Sequence, residues 1–104
     1  MKKEELKQMK FPKQLKIGGH IYKVKIEKES NVAVSSACGK TEREKGEIYI
    51  KSDLMETEQM ATLLHEILHV INGELSDSLV EALSQQLFQV LKDNDLQFRA
   101  RLKQ

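Results

Sequence analysis

The chain has 104 residues, with 17 basic and 16 acidic side chains and a formal net charge of +1 at pH 7. This length predicts a single domain over residues 1–104 with room for only a shallow substrate cleft. The near-neutral charge gives no overall attraction to nucleic acid or to an anionic membrane. No apolar run reaches the about 18 residues of a membrane-spanning helix, and the single cysteine, Cys38, excludes an internal disulfide. We therefore expect a cytoplasmic protein that binds neither membrane nor nucleic acid.

The first part of the chain predicts an arm followed by a β-hairpin. Residues 1–12 are rich in lysine and glutamate, which indicates a short helix or a loose arm. Leu15–Ile17 and Ile21–Ile26 flank the pair Gly18-Gly19, and such a pair supplies the positive φ of a tight turn. Apolar and charged residues alternate along the second strand, as expected of a sheet with one face towards water.

Two further strands are expected before the first long helix. Asn31–Ala37 is the weaker one, and the polar run from Lys40 to Gly46 predicts a loop or a hairpin tip. Glu47–Lys51 is the better strand, with its two isoleucines facing the core and Tyr49 facing the opposite way.

The run from Met60 to Ile71 predicts a helix, because it lacks proline and glycine and its apolar residues recur at spacings of three and four. Its start is expected between Ser52 and Thr57, either at a capping box of Asp53 and Glu56 or one turn later. Asn72-Gly73 is typical of a helix end.

This helix carries the pattern His-Glu-x-x-His at His65, Glu66 and His69. A spacing of four residues puts both imidazoles on one face, about 6 Å apart along the axis, where one metal ion can contact both. Imidazole suits Zn²⁺, and two or three protein ligands leave a position open for water. Glu66 is turned by about 100° from His65, so it flanks the metal and can accept a proton from a water molecule there. The pattern is that of zinc peptidases.

A second helix is expected from Ser78 to about Asp93, antiparallel to the first because the connection is short. Its apolar stripe should pack on the first helix and consists of Val80, Leu83, Leu87, Val90 and Leu91. Beyond Asn94 the apolar and polar residues alternate, which fits either an edge strand or a helical tail.

Glu81 is the predicted third zinc ligand. Antiparallel packing brings it level with His69, since the first helix travels about 6 Å beyond His69 and the second returns about 4.5 Å before Glu81. Asp77 and Glu74 in the turn are the alternatives. Glu81 could instead cap the second helix, because Ser78 and Glu81 have capping-box spacing.

Three further roles are assigned from the sequence. Tyr49 is the first candidate donor to the oxyanion, with Tyr22 and His20 as weaker choices and a purely structural role as the alternative for each. A substrate strand could pair with the edge of Glu47–Lys51. Cys38 is expected to be a small buried thiol, with a fourth zinc ligand as the alternative.

The chain resembles the minimal zincin-like metallopeptidases of phages and mobile elements, akin to the ImmA/IrrE-type family. The resemblance covers about Ile17 to Asn94 and depends on the segments Glu47–Lys51, Leu63–His69 and Val80–Asn94. It implies a gluzincin-type site with a glutamate on the helix after the motif, a cytoplasmic location and a protein substrate.

These observations predict an α+β, zincin-like fold in which a small antiparallel sheet of about four strands packs on the HExxH helix and a second antiparallel helix. The expected function is a zinc-dependent endopeptidase acting on an intracellular, regulatory protein. The alternative is a catalytically silent zinc module that binds and titrates a partner protein.

Overall fold

A computed structural model describes residues 11–28 and 38–96. The predicted strand at Asn31–Ala37 lies outside the described residues, as do the arm over residues 1–10 and the alternating tail over residues 97–104. The described part of the chain contains four strands and two helices, so the predicted α+β class is confirmed.

The strands are β1 (Gln14–Ile17), β2 (His20–Glu27), β3 (Gly39–Glu42) and β4 (Glu47–Lys51), and they form one sheet in the order β1-β2-β4-β3. β1 and β2 are antiparallel, as are β3 and β4, but β2 and β4 are parallel. The prediction of an antiparallel sheet is therefore wrong, and the sheet is mixed.

The composition of β3 and β4 explains this order. Ile48 and Ile50 of β4 are completely buried, so this strand is stabilised most by a position with a neighbour on either side. The polar strand β3, with sequence GKTE, takes the edge of the described sheet, where charged side chains are typical. Of the predicted loop from Lys40 to Gly46, residues 40–42 therefore belong to β3 and residues 43–46 form the turn.

The hairpin between β1 and β2 is confirmed. Its turn residues Gly18 and Gly19 have φ angles of +60° and +87°, a region that side chains with a Cβ atom rarely adopt. Tyr22 of β2 joins the core against β4 and the first helix.

Helix α1 runs from Glu56 to Ile71 and carries the HExxH motif. Its N-cap is Met55, with no side-chain hydrogen bond to the helix, so the predicted capping box at Asp53 is wrong. The later of the two predicted starts is confirmed. Asn72 is the C-cap, and its backbone N–H donates to the carbonyl of Leu68.

Helix α2 runs from Asp77 to Asp93. Its N-cap is Ser76, whose hydroxyl oxygen accepts a hydrogen bond from the backbone N–H of Leu79 at 3.2 Å. The predicted capping box of Ser78 and Glu81 is therefore wrong, and the carboxylate of Glu81 is not used as a cap.

The apolar stripe predicted for α2 is only partly buried. Val80 and Ser84 are buried and Leu91 is half-buried, whereas Leu83, Leu87 and Val90 are exposed, Leu83 by 44%. Residues 80, 84 and 91 follow the face of the helix turned towards α1. The small side chain of Ser84 lets the backbones of α1 and α2 approach closely. The three exposed residues extend the apolar surface of α2 beyond its contact with α1.

Across residues 11–28 and 38–96, none of the helices combines the length and the apolar character needed to cross a membrane.

Candidate metal centre

His65 and His69 lie one turn apart on α1, as the sequence predicts. Their ring centroids are 4.8 Å apart and the ring planes are inclined by 65°. Both side chains are about one-fifth exposed. They therefore present ring nitrogens to solvent from a helix that is otherwise packed on the sheet.

Two carboxylates of α2 approach these rings. Glu81 Oε1 is 3.1 Å from Nδ1 of His65, and Asp77 Oδ1 is 2.9 Å from Nε2 of His69. The second oxygen of Glu81 accepts a hydrogen bond from the side-chain amide of Gln85 at 2.5 Å. The antiparallel packing that the short connection predicts thus brings both carboxylates to the histidine face.

These donors fit a single divalent cation. One ligand atom each from His65, His69 and Asp77 lies within 4.8 Å of the others. Zinc holds its ligands at about 2.0 to 2.2 Å in a tetrahedron, so the three ligand atoms would move closer together when they bind the ion. Two imidazoles with one carboxylate are also a donor set that Zn²⁺ accepts. Glu74 lies in the turn, where its backbone N–H donates to the side chain of Asn72.

The side chain of Glu66 reaches β3 of the sheet. It is a buried carboxylate, only 7% exposed, and its Oε1 accepts a hydrogen bond of 2.6 Å from the hydroxyl of Thr41 on β3. A buried neutral polar group left without a partner costs about 1 to 3 kcal/mol, and a buried carboxylate costs more. The bond from Thr41 therefore determines where this carboxylate can lie.

The edge strand β3 contacts α1 through every second residue. At Gly39, a Cβ atom would lie 2.7 Å from Cγ2 of Thr62 and 3.4 Å from Oε2 of Glu66. Thr41 bonds Glu66, and Arg43 at the start of the turn donates to the backbone carbonyl of His69 at 2.5 Å. These three residues face the helix because side chains alternate along a strand.

Gly39, Thr41 and Arg43 were missed by the sequence reasoning. Thr41 and Arg43 lie in a run predicted as a loop or hairpin tip. The available signal was weak, because only the glycine and a short period-two alternation before Gly46 distinguish the strand from a loop.

An open cleft of about 830 Å³ lies over the motif. It is bounded by α1, α2 and the beginning of β3. Its lining includes both histidines, Glu66 and Glu81, and the other residues are Cys38, Gly39, Lys40, Glu58, Ala61, Thr62, Asp77, Ser78, Ser84 and Gln85.

The predicted oxyanion donors do not line this cleft. Tyr49 projects from the opposite face of the sheet, where its hydroxyl donates to Glu47. That hydrogen bond raises the pKa of Tyr49 to about 12 and, with Lys25, lowers the pKa of the Glu47 carboxyl. Tyr22 is buried in the core, and His20 is exposed at the start of β2.

Two other expectations about the site are wrong. Cys38 is exposed and lines the cleft, so it is not a buried thiol. It also lies outside the compact group of candidate ligands among the described residues. The strand Glu47–Lys51 has no free edge, because β4 is paired with β2 on one side and β3 on the other.

Comparison with known families and proteins gives one match. The family model Peptidase_M78, described as the IrrE N-terminal-like domain, matches residues 16–93. This range includes all six described strands and helices except the first two residues of β1. The curated proteins and the solved structures gave no match.

Proposed function

We propose a function from the premise that the chain is a member of the M78 peptidase family, whose model is the IrrE N-terminal-like domain. The proposed function is that of a zinc-dependent endopeptidase acting on an intracellular protein. The observation that carries the proposal is the position of a buried glutamate beside two histidines and a carboxylate in one open cleft. The order of strand, HExxH helix and second helix is also that expected of a zincin-like fold.

His65, His69 and Glu81 are the proposed zinc ligands. A zinc ion held there would supply Lewis-acid chemistry, because it lowers the pKa of a coordinated water towards neutrality and polarises a peptide carbonyl. Glu81 is supported by its 3.1 Å approach to His65 and by a side chain that is 55% exposed, against 90% for Asp77.

Asp77 is the competing third ligand, and it has its own supporting observation. It forms the compact group with both histidines, but its side chain is 90% exposed. Whichever carboxylate does not bind the metal can accept a hydrogen bond from a ligand imidazole, an arrangement that fixes the ring and raises its basicity.

Glu66 is the proposed general base. Its carboxylate takes a proton from the attacking water and later gives a proton to the leaving amine. Burial keeps this group out of bulk water, and the bond from Thr41 keeps its orientation fixed before substrate arrives.

The proposed substrate is an extended polypeptide that pairs with β3. This strand forms the cleft-side edge of the described sheet and begins at the cleft wall. An added strand would bring its backbone past the histidines, with affinity from main-chain hydrogen bonds.

The deciding experiment compares the wild type with Glu66→Gln on candidate partner proteins, with new chain termini detected by mass spectrometry. New termini that depend on Glu66 support the peptidase. If both proteins contain zinc, bind the partner and leave it intact, the silent zinc module is the correct function instead.

Zinc content tests the ligands separately. We expect one zinc per chain in untagged protein, and a large loss in His65→Ala and in His69→Ala. The matched series Glu81→Ala, Asp77→Ala and Glu74→Ala should weaken zinc binding strongly only for Glu81. A loss confined to Asp77→Ala would transfer the third-ligand assignment to Asp77.

A further inference from the structure

If a substrate strand pairs with β3, Thr41 would contact both the substrate, through its backbone, and Glu66, through its side chain. Its hydroxyl donates to Oε1 of Glu66 at 2.6 Å. Its backbone groups can be placed from the strand pairing. The backbone N–H of Lys51 donates to the carbonyl of Cys38 at 3.0 Å, which makes this pair a hydrogen-bonded one.

Hydrogen-bonded and non-hydrogen-bonded pairs alternate in an antiparallel ladder. From the registered pairs of β3 and β4, Lys40 and Glu42 therefore direct their backbone groups towards β4. Gly39 and Thr41 direct theirs towards the outer edge of the sheet formed by the described strands. These are the backbone groups that an added substrate strand would meet.

The same two residues turn their side-chain faces to the catalytic carboxylate. At Gly39, the absence of a Cβ atom leaves room beside Oε2 of Glu66, which would be only 3.4 Å from such an atom. At Thr41, the hydroxyl holds Oε1. One oxygen of Glu66 is thus anchored by the strand, and the other lies next to a residue without a side chain.

We propose that Thr41 is a positioning residue that joins substrate to base: its backbone pairs with the substrate strand while its hydroxyl orients the carboxylate of Glu66. This inference deepens the proposed function and rests on it. A polypeptide that pairs with β3 would lie against the same residue that already holds the base, so Thr41 sets the position of the substrate backbone relative to the carboxylate of Glu66.

The first test needs no substrate. Unfolding by urea is measured in metal-free wild type, Thr41→Val, Glu66→Ala and the double variant. Valine keeps the shape of threonine without the donor, so we expect Thr41→Val to lower the midpoint in the wild-type background and to do so much less when Glu66 is absent. Thr57→Val, on the exposed first turn of α1, is the matched control and should give the same small shift in both backgrounds. Equal shifts for Thr41→Val in the two backgrounds would overturn the proposal.

The second test uses labelled casein as an extended polypeptide, together with any partner that yields Glu66-dependent termini. Thr41→Val should keep its zinc and its KM, since the backbone is unchanged, and lose about 10- to 100-fold in kcat, the size expected when a reacting group is misplaced. Thr41→Ser retains the donor and should restore most of kcat. A Thr41→Val protein that turns over at the wild-type rate overturns the inference and leaves the peptidase standing. A wild type without Glu66-dependent cleavage instead removes the proposed function, and the inference that rests on it is then overturned too.

Discussion

Substitution of Gly39 by alanine should lower the stability of the fold by about 1 to 2 kcal/mol. The added Cβ atom would lie 2.7 Å from Cγ2 of Thr62 and 2.9 Å from the backbone carbonyl oxygen of Tyr49. Overpacking of this kind costs about 1 to 3 kcal/mol. A gain of about 0.4 to 1 kcal/mol from the smaller entropy of the unfolded chain offsets part of that cost.

Gly73→Ala is the matched control. Its Cβ atom would also meet an atom at 2.9 Å, but that atom is Nη2 of Arg43, at the far end of a flexible side chain. If the guanidinium moves aside, it loses its hydrogen bond to the carbonyl of His69, a loss of about 0.5 to 1.5 kcal/mol. The gain of about 0.4 to 1 kcal/mol from the smaller entropy of the unfolded chain offsets that loss, so we expect a change near zero. The contrast between the two glycines tests whether the rigidity of the neighbour, rather than the distance alone, sets the cost.

Urea unfolding of metal-free protein is the appropriate assay, because bound zinc would add its own stabilisation. With a slope of about 1 to 3 kcal/mol per molar urea, the expected loss for Gly39→Ala is a midpoint shift on the order of 1 M. Adding Thr62→Ser removes the methyl group in conflict and should recover part of the loss. If Gly39→Ala and Gly73→Ala have the same midpoint, the tight contact between β3 and α1 is not what the geometry indicates.

Three further outcomes follow from single contacts. Ser76→Ala should lower the free energy of unfolding by about 1 kcal/mol because it removes the N-cap of α2. Ser78→Ala should change the unfolding midpoint little, and a larger effect at Ser78 than at Ser76 would contradict the capping assignment. Glu47→Gln should move the pKa of Tyr49 from about 12 down towards 10, since the carboxylate that disfavours tyrosinate is gone, and ultraviolet titration would detect it. An unchanged titration would show that the hydrogen bond is not the cause. Arg43→Ala should cost about 0.5 to 1.5 kcal/mol in thermal or urea unfolding, the worth of a hydrogen bond to a helix-end carbonyl; no measurable loss would mean that the turn does not hold α1.

The sequence by itself determined the motif helix and which of its side chains share a face. His65, Glu66 and His69 are fixed relative to each other by the helical repeat, so spacing alone predicts which groups share a face. The hairpin at Gly18-Gly19, the strand β4 and the short connection that makes the helices antiparallel are equally local. The family resemblance depends on these same segments.

Tertiary structure decided the neighbours of that helix. The pairing of β4 with β3 is local, but its parallel pairing with β2 joins segments far apart in sequence. The position of β4 between these two strands is accompanied by complete burial of Ile48 and Ile50. The partner of Glu66 is Thr41, 25 positions earlier, and no periodicity connects the two residues. Carboxylates of α2 reach the histidines only through helix packing, which is why spacing left Glu81, Asp77 and Glu74 as alternatives. Local repeats fix positions within an element, whereas the contacts between elements depend on which combination of faces buries the most apolar surface.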